Sequence, residues 1–246
     1  MGIWAVAALA ILVGTVLQRV SGTGVGLVCA PVLALLLGSA QGVLVSNATT
    51  TVSGLLIGWS VRRDVDRRRA AVICASAVPG AVLGAIVVRE LSAAWLQVVI
   101  GGIVLLAIVT SVALPRLPHW PGRAAEVVAG AVGGLFNTTA GVAAPAMVVY
   151  SRLARWEQRS MAATLQPIFM TMGAMSVLLK TLFGSSHGQV PPWWYAVVVL
   201  VTVLAGIRVG ARVAERVTVG QARALALVLA GTGGAVTLVR GLLALG

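Results

Sequence analysis

The sequence predicts an all-α membrane protein, a polytopic helix bundle of two inverted repeats with four segments each, the first and fifth segments broken. Three observations lead there. Of 246 residues, 59% are hydrophobic and only 10% charged, too few polar groups to cover a water-soluble domain of this size. The apolar residues come in runs of about 20, the length that crosses a bilayer, and the chain has room for about eight of them. The cations (Lys+Arg 18 against Asp+Glu 6) fall almost entirely between the runs. Cations so placed set membrane orientation rather than line a phosphate groove, so the expected surroundings are a lipid bilayer, with no nucleic acid as partner.

Taken in order, the first run extends from Ile3 to Leu37. It is too long for one simple crossing and is interrupted by the polar, glycine-rich stretch Gln18-Arg19-Val20-Ser21-Gly22-Thr23-Gly24-Val25-Gly26. It lacks the basic start and the cleavage site of a signal peptide and is expected to stay in the mature protein. The second run, Val43 to Val61, leads into the basic loop Arg62, Arg63, Arg67, Arg68 and Arg69. The third and fourth cover Ala70 to Val88 and Ala93 to Leu114. The fifth, Ala124 to Tyr150, is interrupted by Asn137-Thr138-Thr139-Ala140-Gly141 ahead of Pro145. Met161 to Phe183, Trp193 to Ala211 and Ala222 to Leu245 complete the set. Cys29 and Cys74 lie inside apolar runs and read as small hydrophobes in packed helices.

The positive-inside rule tests how many runs cross. If all do, and the Arg62–Arg69 loop is cytoplasmic, Arg89, Arg152, Arg155, Arg159, Arg212, Arg216 and Arg223 fall outside and no bias survives. If the fifth run instead enters and leaves on the cytoplasmic side, only Arg89 and Lys180 remain outside among the loop cations. The charges therefore predict a re-entrant fifth segment. Polar backbone at membrane depth fits that reading, because it is tolerated only where protein or a watery cavity satisfies it.

An ordered internal echo supports two halves, residues 1–116 and 117–246, within one membrane domain. Cys29-Ala30-Pro31 matches Ala143-Ala144-Pro145, Ala48-Thr49 matches Ala163-Thr164, and Gly80 to Gly84 matches Gly206 to Gly210. If the first segment is also re-entrant, each half has an odd number of crossings and the halves must be inverted. Transporters of that architecture bind substrate near the midplane, between broken helices.

A broken helix presents free backbone N–H groups and a positive dipole end, which together receive an anion. The candidate substrate-binding residues of the first half are Arg19, Ser21, Thr23, Gly24, Gly26, Asn47, Thr49 and Thr50. In the second half they are Asn137, Thr138, Thr139, Gly141, Thr164 and Gln166. Hydroxyl and amide side chains suit a desolvated oxyanion, and glycines let backbone approach it; any single Thr has the plainer reading of a bond to its preceding turn. Arg19 stands out as an ionisable group within a segment. Lys180, Arg208 and Arg240, near segment ends, read as reaching for the interface. The carboxylates all fall in or beside expected loops, which disfavours a proton relay or a cation pump. No metal-ligand spacing, catalytic triad, phosphate loop or dinucleotide fingerprint occurs, so neither enzyme activity nor a cofactor is expected.

The order of these motifs resembles the TauE/SafE family of membrane permeases. The resemblance rests on Gly22 to Gly26 with Pro31, on Asn47-Ala48-Thr49-Thr50, on the basic loop leading to Pro79-Gly80 and Gly84, and on the echo ending at Gly206 to Gly210. The second break departs from the family's glycine-rich run. The resemblance implies a secondary transporter moving a small anion such as sulfite, a sulfonate or sulfoacetate, chiefly outward, in a bacterial plasma membrane. An anion channel and a membrane-embedded enzyme or assembly subunit are the competing readings. The GxxxG faces allow a homodimer, and packing within one chain accounts for them equally well.

Overall fold

The computed structural model describes residues 2–22, 25–113, 119–183 and 194–246. These form ten helices and, among the described residues, no strand. They are α1 (Gly2–Ser21), α2 (Val25–Leu37), α3 (Ser39–Ser60), α4 (Arg67–Glu90), α5 (Ala93–Ala113), α6 (Arg123–Ala140), α7 (Ala144–Leu153), α8 (Gln158–Leu182), α9 (Trp194–Val213) and α10 (Val219–Leu243). Six are long and apolar enough to cross a membrane: α1, α4, α5, α8, α9 and α10. The first and fifth sequence segments are thus two helices each, and the other six are one helix each.

Local chemistry sets the helix ends. Asp66 starts α4 by accepting the Arg69 backbone N–H at 3.0 Å, and Glu157 starts α8 by accepting that of Ser160 at 3.4 Å. Thr218 and Gln221 cap the start of α10 reciprocally. The two breaks end their helices alike. Gly22 (φ 79°) and Gly141 (φ 73°) take the left-handed conformation, and their N–H groups close back on Gln18 O and Asn137 O at 2.8 and 2.9 Å. A side chain at either position would be strained, which is why glycine stands there.

Each broken segment folds back as a hairpin. Cys29 Sγ reaches Ala10 O and crowds Gly14, while Trp4 packs in the cluster holding Leu36 and Leu37, so α2 runs antiparallel to α1. Likewise Gly133 lies against Met147, Tyr150 reaches Glu126, and the Trp120 N–H donates to Leu153 O, so α7 returns along α6. The tips touch: Gly26 lies against Gly141 O, and Gly141 against Ala30 and Val43.

Around the hairpins the long helices pack in pairs through glycines. Helix α3 packs on α8, α5 on α10, α4 on α6 and α9 on α1. Gly54 of α3 abuts Gln166 and Met170, and Gly173 of α8 abuts Asn47 and Thr51. Gly80 and Gly84 of α4 abut Ala131, Leu135 and Thr138, as Gly206 and Gly210 of α9 abut Leu12, Thr15, Val16 and Arg19. These small-residue seams let helices approach where no hydrophobic effect drives them together.

The structure corrects four sequence expectations. Pro31 lies deep inside α2 and Pro145 in the first turn of α7, so those prolines do not hold equivalent places. In the α3–α8 contacts Asn47 and Gln166 exchange roles, which displaces the Ala48-Thr49 and Ala163-Thr164 match. One carboxylate is buried after all: Glu126, 3% exposed, lies 3.7 Å from Arg69 and accepts from Tyr150 at 3.4 Å. Lys180 is no interfacial residue, since it is fully buried, whereas Arg208 is exposed and Arg240 reaches Leu35 O from the surface.

Candidate functional site

The hairpin tips enclose a chamber of about 20 Å³ lined by Gln18, Gly26, Thr50, Asn137, Gly141 and Phe169, among others. That is room for about one water. Val25, Gly26 and Leu27 at the start of α2 and Ala143 and Ala144 at the start of α7 also border it. Two helix N-termini, with backbone N–H groups that have no partner within their helices, thus meet at one small space. Among the described residues lining it there is no carboxylate. Such a space favours a negative guest through backbone dipoles alone.

Two amide pairs brace the tips. Gln18 donates to Gln166 Oε1 at 2.8 Å, and Gln166 donates to Gly22 O at 3.1 Å and Ala162 O at 2.9 Å. Asn137 donates to Asn47 Oδ1 at 3.1 Å, and Asn47 donates to Asn137 O at 3.1 Å and Ser176 Oγ at 2.7 Å. Each hairpin is therefore held by an amide on the long helix of the other half. All four amides are buried, so each bond replaces what would be an unsatisfied polar group in an apolar interior.

On one side the chamber abuts a vestibule of about 470 Å³ lined by Gln18, Arg19, Ser21, Val61, Asp64, Arg159 and Gln166. Gln18 borders both spaces, so the Gln18–Gln166 bond stands between them. Asp64 pairs with Arg159 at 3.1 Å at the mouth. Next to it Arg152, Arg155 and Arg223 line a cavity of about 290 Å³ that shares Ser21 and Gln158 with the vestibule. On the opposite side, beyond Asn47 and Asn137, the buried polar residues include Ser176, Thr138 and Lys180. Thr138 Oγ1 and Lys180 Nζ have no hydrogen-bond partner among the described residues.

Of the residues the sequence singled out, Gly26, Thr50, Asn137 and Gly141 line the chamber, and Asn47 and Gln166 brace it. Arg19 and Ser21 lie in the vestibule. Thr23 and Gly24 lie outside the described residues. Thr49 and Thr139 bond the preceding turns at Val45 O and Leu135 O, and Thr164 accepts the Asp66 N–H, fixing the loop before α4. Thr138 abuts Gly84, away from the chamber lining. Gln18, Ser176 and Lys180 were not nominated; Gln18 carried a signal in its place one turn before Gly22, and Lys180 in being the sole lysine of the chain.

A family model described as "Sulfite exporter TauE/SafE" matches residues 6–237. The chain belongs to the TauE/SafE family. That membership, with the long apolar helices, makes it a multi-pass membrane transport protein. No curated protein and no solved structure matches it. In this TauE/SafE member, among the described residues, helix N-termini, glycines and buried amides of both halves converge at the chamber between the hairpin tips.

Proposed function

We propose that the protein exports a small sulfur oxyanion, sulfite or a sulfonate such as sulfoacetate, across a bacterial plasma membrane by alternating access. The observation that carries this reading is the pair of helix N-termini meeting at a carboxylate-free chamber. An oxyanion is larger than the present chamber, so binding requires the tips to part, which suits a closed site between two moving halves. The halves are residues 1–116 and 117–246, related as inverted repeats. The hairpins meeting tip to tip and the reciprocal glycine seams support that relation.

In this arrangement the vestibule end is cytoplasmic. The Asp64–Arg159 pair joins the basic α3–α4 loop to the α7–α8 turn, and the Arg152–Arg155–Arg223 cavity joins that turn to the start of α10. One end thus gathers the arginines that the positive-inside rule assigns to the cytoplasm. The anion enters past Arg19, breaks the Gln18–Gln166 bond and occupies the chamber. Rearrangement around Asn47 and Asn137 then opens the far side.

The test is sulfite exchange in proteoliposomes. Flux that saturates and is accelerated by trans sulfite is expected, falling at least tenfold in Gln166→Ala and Gly26→Val. Non-saturating flux without trans acceleration would make the protein a channel, and unaltered exchange in both variants would remove the chamber as the site.

A further inference from the structure

We propose that Lys180 is the cationic residue of an outward-facing anion site, closed in this structure, through which a sulfite- or sulfonate-type group leaves the chamber. This deepens the transport reading above and rests on it. Lys180 is fully buried, and its Nζ has no hydrogen-bond partner among the described residues. A membrane-embedded ammonium is costly unless something pairs with it or hydrates it, and such residues mark substrate paths. It is also the sole lysine of the chain, every other basic side chain apart from the histidines being arginine. Topology needs only positive charge, and arginine supplies that everywhere else. A lysine retained in a buried position is a different kind of residue: a compact charge on a flexible stem, able to follow a passing ion.

Its place in the register says what it faces. Helices α3 and α8 run antiparallel, with Gly54 against Gln166 and Met170, Gly173 against Asn47 and Thr51, and Asn47 bonded to Ser176. In this exchange Asn47 is to α3 what Gln166 is to α8. Extending the pairing outward makes Lys180 the counterpart of Val61, and Ser176 that of Ile57. Val61 and Ile57 line the open vestibule. Thr138, whose hydroxyl is also unpartnered, is by its contact with Gly84 the counterpart of Arg19 against Gly210. Lys180, Ser176 and Thr138 therefore sit where the mirror image of the vestibule would lie, and all three are buried. The orphaned polar atoms of Lys180 and Thr138 are accounted for if that mirror vestibule opens in the other half of the cycle. The described carboxylates Asp64, Asp66, Glu126 and Glu157 belong to the vestibule end, Glu215 is exposed in the turn between α9 and α10, and Glu90, at the far end, pairs with Arg89.

A single lysine allows a clean measurement on the unaltered protein. Membrane vesicles of defined orientation are treated with a membrane-impermeant amine-acetylating reagent, and acetylation of Lys180 is read by peptide mass spectrometry. Expected is modification from the face opposite the vestibule only, slowed at least tenfold by saturating methanesulfonate relative to chloride at equal ionic strength. In parallel, Lys180→Met should cut sulfite exchange at least tenfold while raising the Tm, and Lys180→Arg should restore part of the exchange. A lysine with a purely structural role would instead lower the Tm when replaced. Modification from the vestibule side, modification without methanesulfonate protection, or unaltered exchange in Lys180→Met would each overturn the proposal. Wild-type vesicles that exchange no sulfite would sink the transport reading, yet the acetylation arm would still decide whether Lys180 meets an external anion.

Discussion

At Gln166 one side chain donates to Gly22 O of the first hairpin and to Ala162 O of its own helix, and its oxygen accepts from Gln18 of the first hairpin. Buried amide bonds of this kind are worth about 1 kcal/mol each in a membrane interior. Gln166→Ala should therefore lower stability by about 2 kcal/mol, seen as a reduced Tm in detergent, besides its effect on exchange. Gly141→Ala should be at least as harmful, because the new methyl meets Ala30 and the backbone is left-handed. Sequence could nominate Gly141, Asn137 and Gln166, since polar residues and glycines stand out inside apolar runs. It could not separate Thr50, which borders the chamber, from Thr49, which faces its own helix: the two are adjacent, both bond the preceding turn, and only the partner helices decide which one meets the space.

At the level of elements, the breaks were legible because glycine and polar residues interrupt a helix wherever they lie. The hairpin at the second break was legible from charge, through the parity of the loops, whereas that at the first was supposed only by its likeness to the second. What remained hidden was the pairing of α4 with α6 and α1 with α9, because a glycine pair announces close approach without naming the partner. The α7–α8 turn carries its own strain. Arg155 holds φ 46°, the conformation usually left to glycine, while Trp156 N–H closes on Ser151 O at 2.9 Å. Its side chain lines the basic cavity beside the vestibule. Arg155→Gly should therefore stabilise the protein by about 1 kcal/mol, measured as a higher Tm. A lower Tm would mean that packing of the arginine outweighs the backbone gain.

Across the whole molecule, the inverted arrangement makes one demand that no single helix makes. If both hairpins enter from opposite faces, the chain ends of α7 and α9 must lie on one side and the α4–α5 turn on the other. Single cysteines at Ser151, Thr218 and Ser92, on a background with Cys29 and Cys74 replaced by alanine, test this with an impermeant maleimide. Ser151 and Thr218 positions should label only from the cytoplasm and Ser92 only from outside. The Ser151 position discriminates most, because eight plain crossings would carry it outside together with Thr218, leaving the arginines of both loops on the wrong side of the membrane. That outcome would also separate the two helix N-termini at the chamber from any midplane location, since α6 and α7 would then form one crossing. Labelling as expected would put the polar backbone of the hairpin tips at membrane depth, held there by Gln166 and Asn47.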